Sequence, residues 1–523
     1  MADTSDMYLY LGLALASLLV VLLATRRRSR RSSSAAAALR LPPGPWQLPV
    51  IGSLHHVMKG RLPPHQAMRD LARRHGPVMM LRLGEVPTLV VSSRDAAREV
   101  MRTHDAAFAT RPLSATMRVV SNGGRDIAFA PHGAYWRHLR KVAVVELLSA
   151  RRVLSFRSIR EEEVAAMLRA VASASAASAA ATVDLQAAMS ALVSDSTARA
   201  VMGDRCKDRD VFLRAVDRAG ELAAGLNTAD LWPSSWLAGR LSGAVREAEK
   251  CRATLFGVLD GIIQDHLEKT GSGCDGGAST GEDIIDVLLR IQKEGGLQFP
   301  LDMDAVKSVV IDVFSGGSET SATTLGWAIA ELIRNPKVMA KVTAEVRQAF
   351  AASGTVSESA LGELRYLHLV IRETLRLHPP LPLLLPRECQ EPCRVLGYDV
   401  PRGTQVLVNA WALGRDEKYW GGSPEEFRPD RFGEDEATAT VDFKGTDFEF
   451  LPFGAGRRIC PGMTFGLANV ELPLASLLFH FDWEAPGMAD PTEFDMTEAF
   501  SITARRKGNL LLRPVLCVPV PGV

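Results

Sequence analysis

The segment Phe453-Gly454-Ala455-Gly456-Arg457-Arg458-Ile459-Cys460-Pro461-Gly462 sets a cysteine in a glycine-punctuated loop immediately before an apolar helical stretch. Glycines without Cβ atoms let backbone N–H groups approach the sulfur. The helix that follows turns its positive end toward it, so the thiolate is favoured over the thiol. That anion is the form in which cysteine ligates a metal. A lone cysteine is more often a buried structural residue, so the loop needs company before it means chemistry.

Other residue sets supply that company. Trp136 and Arg140 stand one helical turn apart in Tyr135-Trp136-Arg137-His138-Leu139-Arg140, so an indole N–H and a guanidinium would meet one anionic group. Glu373 and Arg376, three residues apart, share a helix face. Gly316-Gly317-Ser318-Glu319-Thr320-Ser321 lies in an apolar helical stretch from about Ala305 to Leu332. Adjacent glycines inside a helix lose about 1 kcal/mol each relative to alanine, so they need a reason, and close helix packing is one.

The elements that must position these groups are mostly helical. Val78 to Leu83 and Thr88 to Ser92 read as a hairpin about Gly84 and Pro87. From Arg94 to about Leu377 the periodicity is helical, broken by the Ala/Ser tract Ala170 to Ala181 and the Gly/Ser-rich Gly271 to Gly281, both expected as surface loops. Beyond Leu377 prolines are frequent, Gln405 to Asn409 is strand-like, and Phe465 to Phe479 forms a last helix. At the other end, Met7 to Ala24 is uncharged and just long enough to span a bilayer, and Arg26 to Arg31 would hold its far flank in the cytosol. A cleaved signal peptide carries its positive charge ahead of the apolar core instead. The expected organisation is an anchor with basic flank over 1–31, a Ser/Ala linker and proline-rich hinge over 32–52, and one catalytic domain over 53–523.

Composition removes some classes. With 61 basic and 60 acidic side chains the net charge is +1, which leaves no global footprint for nucleic acid. The 7 cysteines are odd in number and scattered over 523 residues, which fits a reducing compartment better than a disulfide framework.

The cysteine loop resembles the F-x-x-G-x-R-x-C-x-G signature of the cytochrome P-450 family, matched at Phe453, Gly456, Arg458, Cys460 and Gly462. Glu373-Thr374-Leu375-Arg376 is similar to its E-x-x-R pair, and Phe427 to Phe432 to its P-E-R-F segment, with Asp430 where Glu is usual. The glycine pair resembles the [AG]-G-x-[DE]-T-[ST] oxygen-activation motif, and Trp136 with Arg140 the W-x-x-x-R helix. The resemblance covers nearly the whole chain and points to the plant microsomal A-type branch.

It implies a mainly α fold with small β-sheets, a helix-rich triangular prism behind an N-terminal transmembrane helix. It implies one haem b with Cys460 on the iron, where a thiolate favours O–O cleavage. Phe453 would belong to the haem pocket, and Trp136, Arg140, Arg387 and Arg458 would meet the haem propionates. Glu373, Arg376 and Arg431 would form a buried ion network. A local opening of the distal helix would let Thr320 and Glu319 relay protons. Substrate contacts would come from Pro112 to Ala128, Leu222 to Asn227, Asp312 to Gly316, Leu381 to Leu385 and Phe500 to Thr503. These are mostly apolar or small, which suits a terpenoid. Ser315 and Ser501 replace a usual Ala and Gly and would add hydroxyls there. Partners would be dioxygen, a small lipophilic substrate, an NADPH-cytochrome reductase docking near Cys460, and the cytosolic face of the endoplasmic reticulum membrane.

Rival motifs fail on context. Gly277 to Gly281 matches G-x-S-x-G but lacks the strand and helix of a nucleophile elbow. Cys389, Cys393 and His378 lack a further ligand pair for zinc. A haem protein that only binds would have no use for Glu319 and Thr320.

Overall fold

Asp302 starts the longest helix by accepting the N–H of Ala305 (2.9 Å), and Asn335-Pro336 ends it. In this computed structural model residues 39–523 are described, except 61, 179, 207, 272–280, 296–298, 435 and 500. The expected anchor, its arginine flank, the linker to residue 38, most of the Gly277–Gly281 loop and Phe500 lie outside the described residues. Among the described residues no helix is long and apolar enough to cross a membrane.

Among the helices are α1 (Ala134–Val142), α2 (Arg157–Ala177), α3 (Leu185–Met202), α4 (Arg209–Ala223), α5 (Ala244–Gly271), α6 (Met303–Arg334), α7 (Arg365–Leu377) and α8 (Met463–His480). α6 is apolar on nearly every face, and residues from Ala305 to Ile333 are buried along its length. A helix of that kind belongs in the middle of a domain. It packs against α3, α7 and α8.

The strands sit at the periphery: β1 (Val78–Leu83), β2 (Val86–Val91), β3 (Val183–Asp184), β4 (Arg387–Glu388), β5 (Cys393–Val395), β6 (Tyr398–Val400), β7 (Gln405–Val408), β8 (Phe481–Glu484) and β9 (Leu511–Leu516). The expected hairpin is β1–β2, in antiparallel register from Val78 opposite Val91 to Leu83 opposite Val86. β7 adds parallel to β2 and β4 pairs with β7, giving the order β1-β2-β7-β4; the other sheets are β3-β9-β8 and β5-β6. The proline-rich run docks on this first sheet. Met80 donates its N–H to the carbonyl of Pro43 (2.8 Å), and a Cβ on Gly44 would lie 2.1 Å from the Met80 oxygen. What was expected as a spacer therefore packs along β1.

The Ala/Ser tract is not the loop that its composition suggested. Ala170 to Ala177 form the last turns of α2, with Val171 and Ala172 buried in the main core. Alanine is the strongest helix former, and its small side chain lets neighbouring elements approach closely.

One buried ion network ties α7 to the segment ahead of the cysteine loop. The Glu373 carboxylate binds Arg376 at 2.6 and 2.7 Å and Arg431 at 3.1 Å, and accepts the N–H of Arg428 (2.8 Å). Arg376 also donates to the carbonyls of Pro424 and Glu426, and Arg431 to those of Trp420 and Ser423. Every charge is thus paired and hydrogen-bonded, as burial requires. Asp430 stays outside the network, bound to Tyr366 and Lys341, so Asp in place of Glu there leaves the network intact.

Candidate active site

The loop that carries Cys460 is closed by its own backbone. The Cys460 N–H donates to the carbonyl of Phe453 (2.9 Å), Gly454 and Gly456 both take φ of 68°, and α8 begins at Met463. Gly456 is required twice over, since a Cβ there would also lie 2.3 Å from the Met101 carbonyl oxygen. Asp105 clamps the turn, accepting the N–H of Arg457 (2.9 Å) and a guanidinium N–H of Arg387 (3.1 Å).

The sulfur looks into a deep cavity. Cys460 and Phe453 lie on one side, and the α6 residues Gly316, Gly317 and Thr320 line it too. Burial pushes the Cys460 thiol up, against a pull downward from the Gly462 N–H and Arg140. The glycines and helix end expected to make a thiolate therefore do not outweigh desolvation; a metal cation on the sulfur would.

One edge of the cavity is crowded with cations. Arg140 donates to the carbonyl of Ile459 (2.5 Å), Arg387 to that of Ala455 (2.8 Å), and Arg458 to those of Ala109 (2.6 Å) and Ala130. Trp136 stacks under the Arg458 guanidinium (4.2 Å) and donates its indole N–H to Ile127 (3.2 Å). The sequence-predicted quartet of Trp136, Arg140, Arg387 and Arg458 therefore lines one wall, Arg387 included. Arg111 joins it, held by the carbonyls of Leu385 (2.6 Å), Pro386 (2.9 Å) and Ala128 (3.2 Å). Sequence reasoning missed Arg111 and Asp105, which sit in an irregular segment without periodicity. Burial and the neighbouring cations depress these guanidiniums: Arg111 falls well below its usual value, and Arg458 falls to about 9. So much buried positive charge, offset by Asp105 and by an Asp126 whose carboxyl burial pushes toward neutrality, calls for an anionic ligand.

The glycine pair divides its labour. A Cβ on Gly317 would lie 2.7 Å from the Phe465 ring, so this glycine serves helix packing, whereas a Cβ on Gly316 would meet nothing within 4 Å. Thr320 lies one turn on and donates its hydroxyl to the Gly316 carbonyl (2.6 Å). The expected opening of the hydrogen-bond ladder is not seen here, for α6 runs as α-helix without a break.

Glu319 is not among the residues that line the cavity. It accepts the hydroxyl of Thr503 and lies near Gly220 of α4, and burial raises its carboxyl. The segments expected to touch substrate divide between this cavity and a second one. Ile127, Ala128, Asp312 and Leu381 line the first; Met117, Leu226, Leu383, Ser501 and Ile502 line the second. Leu384, in a left-handed conformation with φ of 52°, borders both. Ser315, expected to add a hydroxyl, lines neither. His378 is committed to Glu331 (2.7 Å) and stacked on Trp327, and the thiol of Cys389 reaches the Glu391 carbonyl (3.1 Å), so no zinc arrangement forms.

Fold and site together define a helix-rich enzyme body around a sulfur-faced, cation-edged, otherwise apolar cavity. The family profile described as Cytochrome P450 matches residues 42–512, and the chain belongs to that family. It is 47% identical over 477 residues to desmethyl-deoxy-podophyllotoxin synthase of Sinopodophyllum hexandrum, covering 91% of this chain and 92% of that one. It is 48% identical over 479 residues to zealexin A1 synthase of Zea mays, covering 91% and 93%. A zebra fish cytochrome P450 structure with progesterone superposes with a TM-score of 0.72 at 25% identity, over 87% of this chain and 100% of that one. The chain is a monooxygenase of the kind found in plant specialised metabolism, and its cofactor is haem. The cavity fits that group, with a sulfur for the metal, apolar walls for the ring and unbalanced guanidiniums for its carboxylates.

Proposed function

We propose that the enzyme inserts one oxygen atom from dioxygen into a C–H bond of a terpenoid-type hydrocarbon, and that Cys460 is the residue that would hold the haem iron through its sulfur. Haem, when bound, supplies the oxygen activation. The observation that carries this reading is Cys460 in one cavity with Gly316 and Thr320, beside a cluster of buried arginines. Arg140, Arg387, Arg458 and Trp136 would hold the cofactor's carboxylates, with Arg111 a further cation, and Phe453 would supply apolar wall beside them. Thr320, whose hydroxyl donates to the Gly316 carbonyl and lines the cavity, would hold a transferable proton at that hydroxyl. Glu319, outside the cavity, would replenish that proton, and the burial that raises its carboxyl keeps it protonated to higher pH than a free carboxyl. Apolar Leu381, Leu384, Leu385 and Val313 exclude water from the reacting carbon.

The terpenoid assignment is supported by relatives that are plant terpenoid oxygenases, zealexin A1 synthase among them. Two relatives, 47% and 48% identical to this chain, are named for different products, so a class rather than one molecule is proposed. Electrons come from an NADPH-cytochrome reductase on the face near exposed Arg457. The apolar run near the N-terminus anchors the chain in the endoplasmic reticulum membrane, the catalytic body facing the cytosol. The test is co-expression in microsomes with such a reductase. Terpenes, fatty acids and phenylpropanoids are titrated for binding-difference spectra, then assayed for NADPH-dependent products. Turnover of phenylpropanoids with no terpene response would overturn the substrate class.

A further inference from the structure

The segment from Arg125 to Ala130 roofs the cavity edge, and its peptide groups are tied in two directions. Its carbonyls face the cations: Ile127 accepts from Trp136 and Arg458 (3.2 and 3.3 Å), Ala128 from Arg111 (3.2 Å), and Ala130 from Arg458. Its amides face carboxylates instead. Phe129 donates to Asp126 (2.7 Å), a bond within the segment. The amides of Ile127 and Ala128 both donate to the same oxygen of Asp312, at 2.6 and 3.0 Å. Asp312 belongs to α6 and lies on the row of residues that continues through Gly316 to Thr320, each one turn apart.

We propose that Asp312 is a positioning residue for substrate selection, whose single carboxylate oxygen clasps the Ile127 and Ala128 amides and fixes the roof segment against α6. Ile127 and Ala128 line the cavity, so the clasp sets how far the roof stands from the reacting position. No other described residue of α6 makes a side-chain hydrogen bond to these amides. The carbonyl ties cannot substitute, because they belong to residues that also meet the cofactor in the reading given above. Burial raises the Asp312 carboxyl to about 6 while the amides pull it down, so an ionised carboxylate there is held at a cost to the fold. A group kept at such a cost at the cavity wall is better explained by what it positions than by stability.

The test uses the full-length, haem-loaded chain. Amide hydrogen exchange resolved to Ile127 and Ala128 is compared for wild type, Asp312→Ala and Asp312→Asn. Titrations with imidazole and 4-phenylimidazole report the space above the metal. Asparagine keeps an acceptor oxygen and should retain protection at both amides. Alanine should speed their exchange by tenfold or more while Phe129, held by Asp126, is little changed. The affinity ratio of phenylimidazole to imidazole should shift in the alanine variant and return in the asparagine one. Unchanged exchange and an unchanged ratio in Asp312→Ala would overturn the clasp. If that variant does not fold, Asp312→Glu, with its longer reach, replaces it; an unaltered ratio there would likewise overturn it. The reduced carbon monoxide spectrum, recorded in parallel, reports separately on Cys460, so failure of the ligand assignment is distinguishable from failure of the clasp.

Discussion

The Phe465 ring of α8 sits where a Cβ on Gly317 would have to go, 2.7 Å away, and Phe465 is itself only 2% exposed. Gly316, the residue before, meets nothing. Alanine at either position gains about 1 kcal/mol of helix propensity. At Gly317 overpacking should reverse that gain and destabilise by roughly 1–3 kcal/mol. Denaturant midpoints should therefore fall for Gly317→Ala and hold or rise for Gly316→Ala, while only the latter intrudes on the cavity and weakens azole binding.

Replacing Cys460 by alanine removes the sulfur without touching the arginine wall. The protein should still take up haem through the cationic edge, but the reduced carbon monoxide complex should lose its thiolate-dependent Soret shift. An unaltered spectrum would remove Cys460 from the role.

Thr320→Ala should keep haem and azole affinity yet raise NADPH consumption per product formed, because the hydroxyl beside Gly316 is gone. Thr503→Val acts one step further back. Its hydroxyl stabilises the ionised form of Glu319, so removing it should raise that carboxyl further. The protonated, donating form then persists to higher pH, and the alkaline limb of kcat should move upward. A limb that stays put would take Glu319 out of proton delivery.

Glu373→Gln keeps the shape of the side chain but strands Arg376 and Arg431, which are 1% and 2% exposed. Removing one member of a buried pair costs about 3–5 kcal/mol. The thermal midpoint and haem retention should both drop sharply, whereas Asp430→Glu, outside the network, should change neither.

Much of this site is legible because its motifs are local. The cysteine loop, the Glu373 and Arg376 pair and the Trp136 and Arg140 turn each fall within one loop or helix, where spacing fixes geometry. Helix phase separates Glu319 and Thr320, adjacent on α6 and about 100° apart, and only Thr320 lines the cavity while Glu319 turns to Thr503. The same phase sends Gly317 toward Phe465 and leaves Gly316 open. Arg111, Asp105 and the Asp312 clasp were hidden for another reason, since each depends on an irregular segment meeting a distant element. Ala170 to Ala177 were misread because low complexity was weighed above alanine's helix propensity.

Asp312 also predicts a pH signature in stability. Its carboxyl titrates near 3.9 in an unfolded chain. In the fold burial raises it to about 6 against the pull of the Ile127 and Ala128 amides, with Asp126 the facing carboxyl, itself beside Arg458 and Arg111. A carboxyl whose folded value is raised favours folding below the unfolded value, and that contribution is lost as pH rises through the folded one. Asp312→Asn removes this dependence while keeping the acceptor. The thermal midpoint of the asparagine variant relative to wild type should therefore climb between pH 5 and pH 7.5 and flatten above. A difference independent of pH over that window would mean that Asp312 ionises as readily in the fold as in water, and that its grip on the Ile127 and Ala128 amides, rather than its burial, sets its charge.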